Sequence, residues 1–291
     1  MRLFSALVTS MRPSQWVKNG FVLAAPIFAL RLTNPEDLIR SALAFIIFCV
    51  LTSGVYLWND ILDCEQDKTH PEKKNRPIAS GKLSPPVAFV VAVAFLALSL
   101  FASFYLHANF GWVCVIYLGN NLLYTYFVKR LVILDVISIA TGFVLRAMAG
   151  AQVVQVDIST WLILCTFLLA LFLGFSKRRH EMELLQENAV THRVSLEEYS
   201  PHFLDIVIPI VTASTVLSYA LYTVSDETTA KFETENLIYT TLFVIYGILR
   251  YLHLVYRRSE GGNPTRVLFN DLPLKLTILC WLAVSTWIIY S

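Results

Sequence analysis

Residues 37–67 read DLIRSALAFIIFCVLTSGVYLWNDILDCEQD, an apolar run that passes without a break into a cluster of acidic side chains. From Leu38 to Trp58 the only charged residue is Arg40. About 20 such residues suffice for a helix to cross roughly 30 Å of hydrocarbon. The end of the run carries Asn59, Asp60, Asp63 and Asp67. If the helix continues, the three aspartates fall at i, i+3 and i+7 on one stripe, with Asn59 four residues before Asp63. Like charges stacked at such spacing destabilise a helix by about 0.2–0.5 kcal/mol per pair, and burial beside a membrane raises that cost. The pattern implies a cation that neutralises it. Hard carboxylate oxygens with one amide suit Mg²⁺, with Mn²⁺ as an alternative. The competing reading is an acidic helix end solvated by water. Glu65 points to a different face and is not expected as a ligand.

The adjoining stretch, 68–81, reads KTHPEKKNRPIASG. Carboxylates followed at once by lysines and arginines are the expected parts of a metal–diphosphate site, in which the cations hold the phosphate oxygens that the metal does not bridge. Pro71, Pro77 and Gly81 predict a shaped loop rather than another helix. An ordinary positive-inside loop explains the lysines but not their acidic neighbourhood.

Working outward, further apolar runs lie near 16–32, 85–106, 109–128, 131–150, 158–176, 203–224, 236–256 and 271–290. With 37–58 they predict an all-α, polytopic membrane protein of about nine transmembrane helices, forming a single domain over 1–291. The first run is short and contains Pro26. Composition agrees: 56% of the 291 residues are hydrophobic and 15% are charged, against roughly 25% charged in ordinary soluble domains. The net charge of +2 gives a nucleic-acid role no support. Four of the five cysteines lie in apolar runs and show neither zinc nor disulfide spacing. The N-terminus lacks the compact core and cleavage site of a signal peptide and reads as an amphipathic lead-in helix.

Placing the N-terminus in the cytoplasm puts all 23 lysines and arginines on that side except Arg31, Arg40, Arg146 and Lys231. The positive-inside rule favours that orientation. Three long segments, 59–84, 177–202 and 257–270, then form cytoplasmic cap loops, and the site belongs on that face.

The chain resembles the UbiA superfamily of intramembrane prenyltransferases, whose Asn-Asp-x-x-Asp-x-x-x-Asp motif after the second span is matched at Asn59, Asp60, Asp63 and Asp67. Within it the chain is most similar to the decaprenyl-phosphate phosphoribosyltransferase branch. The residues that carry this are Arg12, Gln15, Trp16, Lys18 and Asn19, then His70, Pro71 and Arg76 to Gly81. Asp135 and Gly142 to Gly150, including Arg146, follow, as do Lys177, Arg178 and Glu181, Ser195 to Tyr199, and Leu249 to Tyr251. Most UbiA prenyltransferases carry a second aspartate-rich motif after the sixth span. Here the matching segment, 177–183, is KRRHEME and holds no aspartate, which favours direct phosphate contact over a second metal site.

The resemblance implies a UbiA-like helical bundle whose cavity opens toward the bilayer. It also implies transfer of 5-phosphoribose from phosphoribosyl diphosphate to a polyprenyl phosphate, at the cytoplasmic side of the inner (plasma) membrane. Asn59, Asp60, Asp63 and Asp67 are then the Mg²⁺ ligands, with the three aspartates as catalytic residues. Lys18, Lys73, Arg76, Lys177, Arg178, Glu181 and Tyr199 are donor-binding, and Lys129, Arg130 and Arg146 are acceptor-binding. Each has a plainer reading beside it: lipid-interface anchoring for Lys129 and Arg130, an ion pair or helix tie for Asp135 and Arg146, and a salt bridge and loop anchor for Glu181 and Tyr199. Self-association is left open. The rival activities are prenyl transfer to an aromatic or isoprenoid acceptor and ion-coupled transport; a transporter normally binds its ion nearer the bilayer midplane.

Overall fold

Proline and capping residues set where several of the helices begin. In the computed structural model, which describes residues 2–31, 33–69, 73–187, 199–258 and 264–291, all regular structure among the described residues is helical. An amphipathic helix α1 (Arg2–Met11) leads into a 3-10 run, Pro13–Leu23, and a short α2 (Ala24–Phe28). There follow α3 (Pro35–Leu62), α4 (Cys64–Thr69), α5 (Pro85–Leu106), α6 (Ala108–Tyr126), α7 (Leu134–Val153) and α8 (Thr160–Glu187). The chain ends with α9 (Pro201–Val224), α10 (Asp226–Phe232), α11 (Thr241–Arg258), α12 (Pro264–Asn270) and α13 (Leu272–Tyr290). Asn34 caps α3 by accepting from the Glu36 amide at 3.0 Å, and Asp271 caps α13 by accepting from Leu274 at 2.9 Å. Each cap precedes a proline in the first turn, where the missing N–H costs nothing.

Among the described residues seven helices are long and apolar enough to span a bilayer: 35–62, 85–106, 134–153, 160–183, 201–224, 236–256 and 272–290. The other two of the nine expected runs are less regular. The 19-residue α6 has the length of a span, but Asn109, Asn120 and Asn121 dilute its apolarity. Pro13 and Pro26 each remove a backbone donor from the first run, which takes 3-10 form and then a five-residue helix.

Contacts divide the chain into two compact units. The first comprises Met1–Pro26, Arg31–Val128 and Leu145–Asp157. In it, α5 buries a seam of small residues, Ala88, Ala92, Ser99 and Ser103, and leaves Val90, Phe101 and Tyr105 exposed. Lipid tails are as apolar as the helices, so small residues that permit close backbone approach take over the cohesive role. Gly150 shows the limit of such approach, because a Cβ there would lie 1.9 Å from the Val22 carbonyl oxygen. Its core gathers Phe48, Leu51, Phe110, Cys114 and Tyr117. The second unit comprises Ile27–Leu30, Lys129–Val144 and Ile158–Ser291, with a core around Phe172, Leu204, Ile208, Tyr251 and Leu254. All five cysteines are free thiols.

Candidate active site

The acidic motif sits on a helix that nearly continues. Asp63 is the C-cap of α3, at φ −88° and ψ 3°, and α4 starts at the next residue. The i to i−4 hydrogen bonding still bridges the junction: the Asp63 amide donates to Asn59 O at 2.9 Å and the Asp67 amide to Asp63 O at 2.8 Å. Asp60 and Asp67 therefore remain on one side, each 2% exposed, while Asp63 is half-buried. Glu65 turns to the surface and pairs with Lys68 at 2.7 Å, away from the aspartate stripe.

Two guanidinium groups neutralise the buried pair. Arg76 Nη1 donates to Asp67 Oδ2 at 2.6 Å and to Asp60 Oδ1 at 3.1 Å. Arg12 donates to the same Asp60 oxygen and lies over the Tyr56 ring, 4.9 Å from its centroid. Buried carboxylates without such partners are strongly unfavourable. Arg76 owes its place to the loop it sits in. The Ser80 amide donates to Arg76 O at 2.9 Å and Leu83 to Pro77 O at 3.0 Å, and Gly81 takes a φ of +76° that a side chain would strain. Ile78 and Leu83 bury this loop against Leu57, Cys64, Ala88 and Ala92.

The donor set is all hard oxygen, which suits a divalent cation bound together with a diphosphate. Asp60 Oδ2 and Asp67 Oδ1 lie outside the arginine contacts named above. Asn59 Oδ1 accepts from Thr125 Oγ1 at 2.8 Å. Among the described residues, no three His, Cys, Asp or Glu side chains stand together at metal-ligand spacing. Arg12 and Arg76 between them contact Asp60 Oδ1 and Asp67 Oδ2.

Of the other expected residues in this unit, Lys18 and Lys73 are half-buried, in the 3-10 run and at the start of the loop. Arg146 is 5% exposed and is held by Asn19 Oδ1 at 2.9 Å and by Tyr117 Oη at 2.7 Å. A tie between the 3-10 run, α6 and α7 describes it better than an open anion site.

The second unit holds its own buried charge network. Asp135, at 0% exposure, accepts from Arg178 Nε at 2.8 Å and from Tyr199 Oη at 2.8 Å. Arg178, 1% exposed, donates from Nη1 to Glu181 Oε2 at 2.5 Å. Lys177 Nζ stands 3.5 Å from Glu181 Oε1, with its side chain more open. Arg178 and Tyr199 were expected against the donor; here Tyr199 donates to Asp135, and Arg178 donates to Asp135 and Glu181. Lys129 and Arg130 occupy a short 3-10 turn, Val128–Arg130, with Arg130 exposed. Arg250 forms a two-pronged bond to Asp271, at 3.2 and 2.7 Å. His70, Pro71, Glu72, Ser195 and Glu197 lie outside the described residues.

One residue in these networks went unassigned by sequence reasoning, while Asp135 forms the ion pair read for it from sequence. Arg12 had been noted only within a motif, and spacing gives no hint that it reaches 48 positions along the chain to Asp60. Asp135 had a signal, since a carboxylate beside an apolar span must be paired.

The UbiA prenyltransferase family profile matches residues 20–279. This chain belongs to that family. Among curated UbiA-type relatives, decaprenyl-phosphate phosphoribosyltransferase of Corynebacterium glutamicum is 34% identical over 99% of this chain and 88% of its own. The protein of the same name from Mycobacterium tuberculosis is 33% identical over 97% of this chain and 93% of its own. Of solved structures, a UbiA homolog from Archaeoglobus fulgidus bound to GPP and Mg²⁺ superposes with a TM-score of 0.73 at 18% identity, covering 98% of this chain and all of the other. The last comparison establishes the UbiA fold. Family and helices together make this a multi-pass UbiA membrane protein.

Proposed function

We propose that this UbiA protein transfers 5-phosphoribose from phosphoribosyl diphosphate to a polyprenyl phosphate of the decaprenyl class, releasing diphosphate. Two relatives similar over almost the whole chain bear the name of that activity. The observation that carries the reading is the segment 177–183. Where a second metal-holding acidic motif serves prenyl transfer, this segment offers Lys177 and a buried Arg178–Glu181 pair and no aspartate.

In this reading Asp60, Asp63 and Asp67, with Asn59, hold Mg²⁺ on the donor diphosphate; Mn²⁺ fits the same oxygens. A divalent metal held by these residues would supply electrostatic stabilisation of the leaving diphosphate. Arg12 and Arg76 are the counterions of Asp60 and Asp67 before substrate arrives, and their guanidinium groups then turn to phosphate oxygens, for which they have matching geometry. Lys18, Lys73 and Lys177 add charge for the donor phosphates. Arg178 and Glu181 serve the same donor, with Glu181 beside Lys177. Lys129 and Arg130 receive the lipid phosphate, and Arg146 ties the 3-10 run, α6 and α7 together.

The acceptor phosphate oxygen attacks C1 of the ribose from the face opposite the diphosphate, the C1–O bond to diphosphate breaks, and the configuration inverts. A phosphate monoester is anionic near neutral pH, so no strong general base is required. Orientation and electrostatics supply the rate. A water-soluble donor with several negative charges places the reaction at the cytoplasmic face of the inner membrane.

The deciding experiment supplies purified protein and Mg²⁺ with either phosphoribosyl diphosphate or a prenyl diphosphate, together with polyprenyl phosphates of several lengths. Mass spectrometry should show a lipid gaining phosphoribose only with the first donor. Prenylated product from the second donor, with no phosphoribosyl lipid, overturns the assignment in favour of ordinary prenyl transfer.

A further inference from the structure

The turn that introduces α7 contains a backbone conformation its residue would not choose. Ile133 has φ +68°, in the left-handed region that β-branched side chains avoid because Cβ crowds the backbone. Such a conformation persists only where the surroundings hold it. Here the holder is visible. The Ile133 amide donates to Tyr199 Oη at 2.7 Å, and that hydroxyl donates in turn to Asp135 Oδ1 at 2.8 Å. Asp135 is in turn anchored by Arg178 at 2.8 Å and by its neighbour, the Val136 amide, also at 2.8 Å. Tyr199 is 3% exposed, and its one proton is committed to Asp135, so it has none to offer a substrate phosphate.

The turn joins two things of different character. On its N-terminal side stand Lys129 and Arg130; on its C-terminal side α7 begins at Leu134, with the Asp135 amide closing onto Leu131 O at 3.0 Å and the Ile137 amide onto Ile133 O at 2.9 Å. A switch of Ile133 to an ordinary φ would redirect the chain between the helix and the two cations. We propose that Tyr199, acting with Asp135 and Arg178, is a positioning residue for the lipid phosphate: it locks the left-handed turn at Ile133 and so sets the direction in which Lys129 and Arg130 present their charge. This rests on the assignment of Lys129 and Arg130 to the acceptor.

The test uses the full-length protein in nanodiscs, with Tyr199→Phe and with Tyr199→Phe combined with Ile133→Gly. Three quantities are read: amide exchange over 131–136, the Kd of a short-chain polyprenyl phosphate, and the Kd of phosphoribosyl diphosphate with Mg²⁺. Loss of one buried hydrogen bond should weaken lipid-phosphate binding by about tenfold. Exchange over 131–136 should quicken, and donor binding should stay within about twofold. Glycine accepts a positive φ without strain, so Ile133→Gly in the Tyr199→Phe background should recover most of the lost lipid affinity. A role confined to general stability predicts no such rescue. The proposal fails if Tyr199→Phe binds the lipid phosphate as the wild type does, if donor affinity falls instead, or if glycine restores nothing. Binding is measured without turnover, so a wild-type protein that binds both ligands yet makes no phosphoribosyl lipid would refute the reaction and leave the turn's role standing.

Discussion

Arg76 binds Asp67 through Nη1 at 2.6 Å, and the same nitrogen reaches Asp60 at 3.1 Å, so one guanidinium bridges aspartates seven residues apart on two successive helices. The acidic motif is thus a compensated charge cluster even before any ligand arrives. This has consequences for how it binds metal.

If Arg12 and Arg76 stand where a cation would share the carboxylates, metal alone should bind weakly and diphosphate should recruit it. Mn²⁺ titration followed by electron paramagnetic resonance should show binding that tightens by at least about tenfold when inorganic diphosphate is added. Arg76→Gln should tighten Mn²⁺ binding in the absence of diphosphate, because the buried Asp67 carboxylate loses its guanidinium partner and seeks another cation. Equal affinity with and without diphosphate would contradict this arrangement.

Asp60→Asn and Asp67→Asn should each abolish detectable product, since both remove a donor oxygen and release an arginine at once. Glu65→Gln, on the exposed side with Lys68, should retain nearly full activity, because solvent screens an exposed pair of this kind. Turnover in nanodiscs, normalised to folded protein, separates the two classes.

Asp135→Asn removes one of the two carboxylates that compensate Arg178, which is 1% exposed. Breaking a buried pair in this way typically costs about 3–5 kcal/mol. A large drop in thermal midpoint in detergent is expected, whereas Lys177→Gln, whose side chain is more open, should leave the midpoint nearly unchanged.

Gly150→Ala should destabilise the first unit by about 1–3 kcal/mol, because the new methyl meets the Val22 carbonyl, which is backbone and cannot swing aside. Gly119→Ala, with open space around its Cβ position, serves as the control and should be neutral or mildly stabilising.

Burial, reinforced by the neighbouring Asp135 carboxylate, pushes the Tyr199 phenol above its ordinary value of 10.0. The folded state therefore holds this proton more tightly than the unfolded chain. That contribution to stability is complete below about pH 10 and is lost as pH rises beyond it. Denaturation of the wild type followed from pH 9 to 11 should steepen relative to Tyr199→Phe; parallel curves would remove the phenol from the account.

What the amino-acid order determined by itself were the features with a local period or a composition threshold. Apolar run lengths imply membrane-crossing helices, and among the described residues seven meet that standard on length and apolarity. The i, i+3, i+7 spacing of Asp60, Asp63 and Asp67 sets their common side, which survives the cap at Asp63 because i to i−4 bonding spans it. Proline positions foretold the loop around Arg76. Only the tertiary structure decided which charges meet: Arg12 with Asp60, Arg178 and Tyr199 with Asp135, Arg146 with Asn19 and Tyr117. Ion-pair partners far apart in the chain are selected by how helices stack, and stacking depends on small-residue contacts such as Gly150 on Val22 that leave no periodic trace. The left-handed turn at Ile133 was equally hidden, since a β-branched residue predicts the opposite backbone and only the buried Tyr199 hydroxyl overrides it.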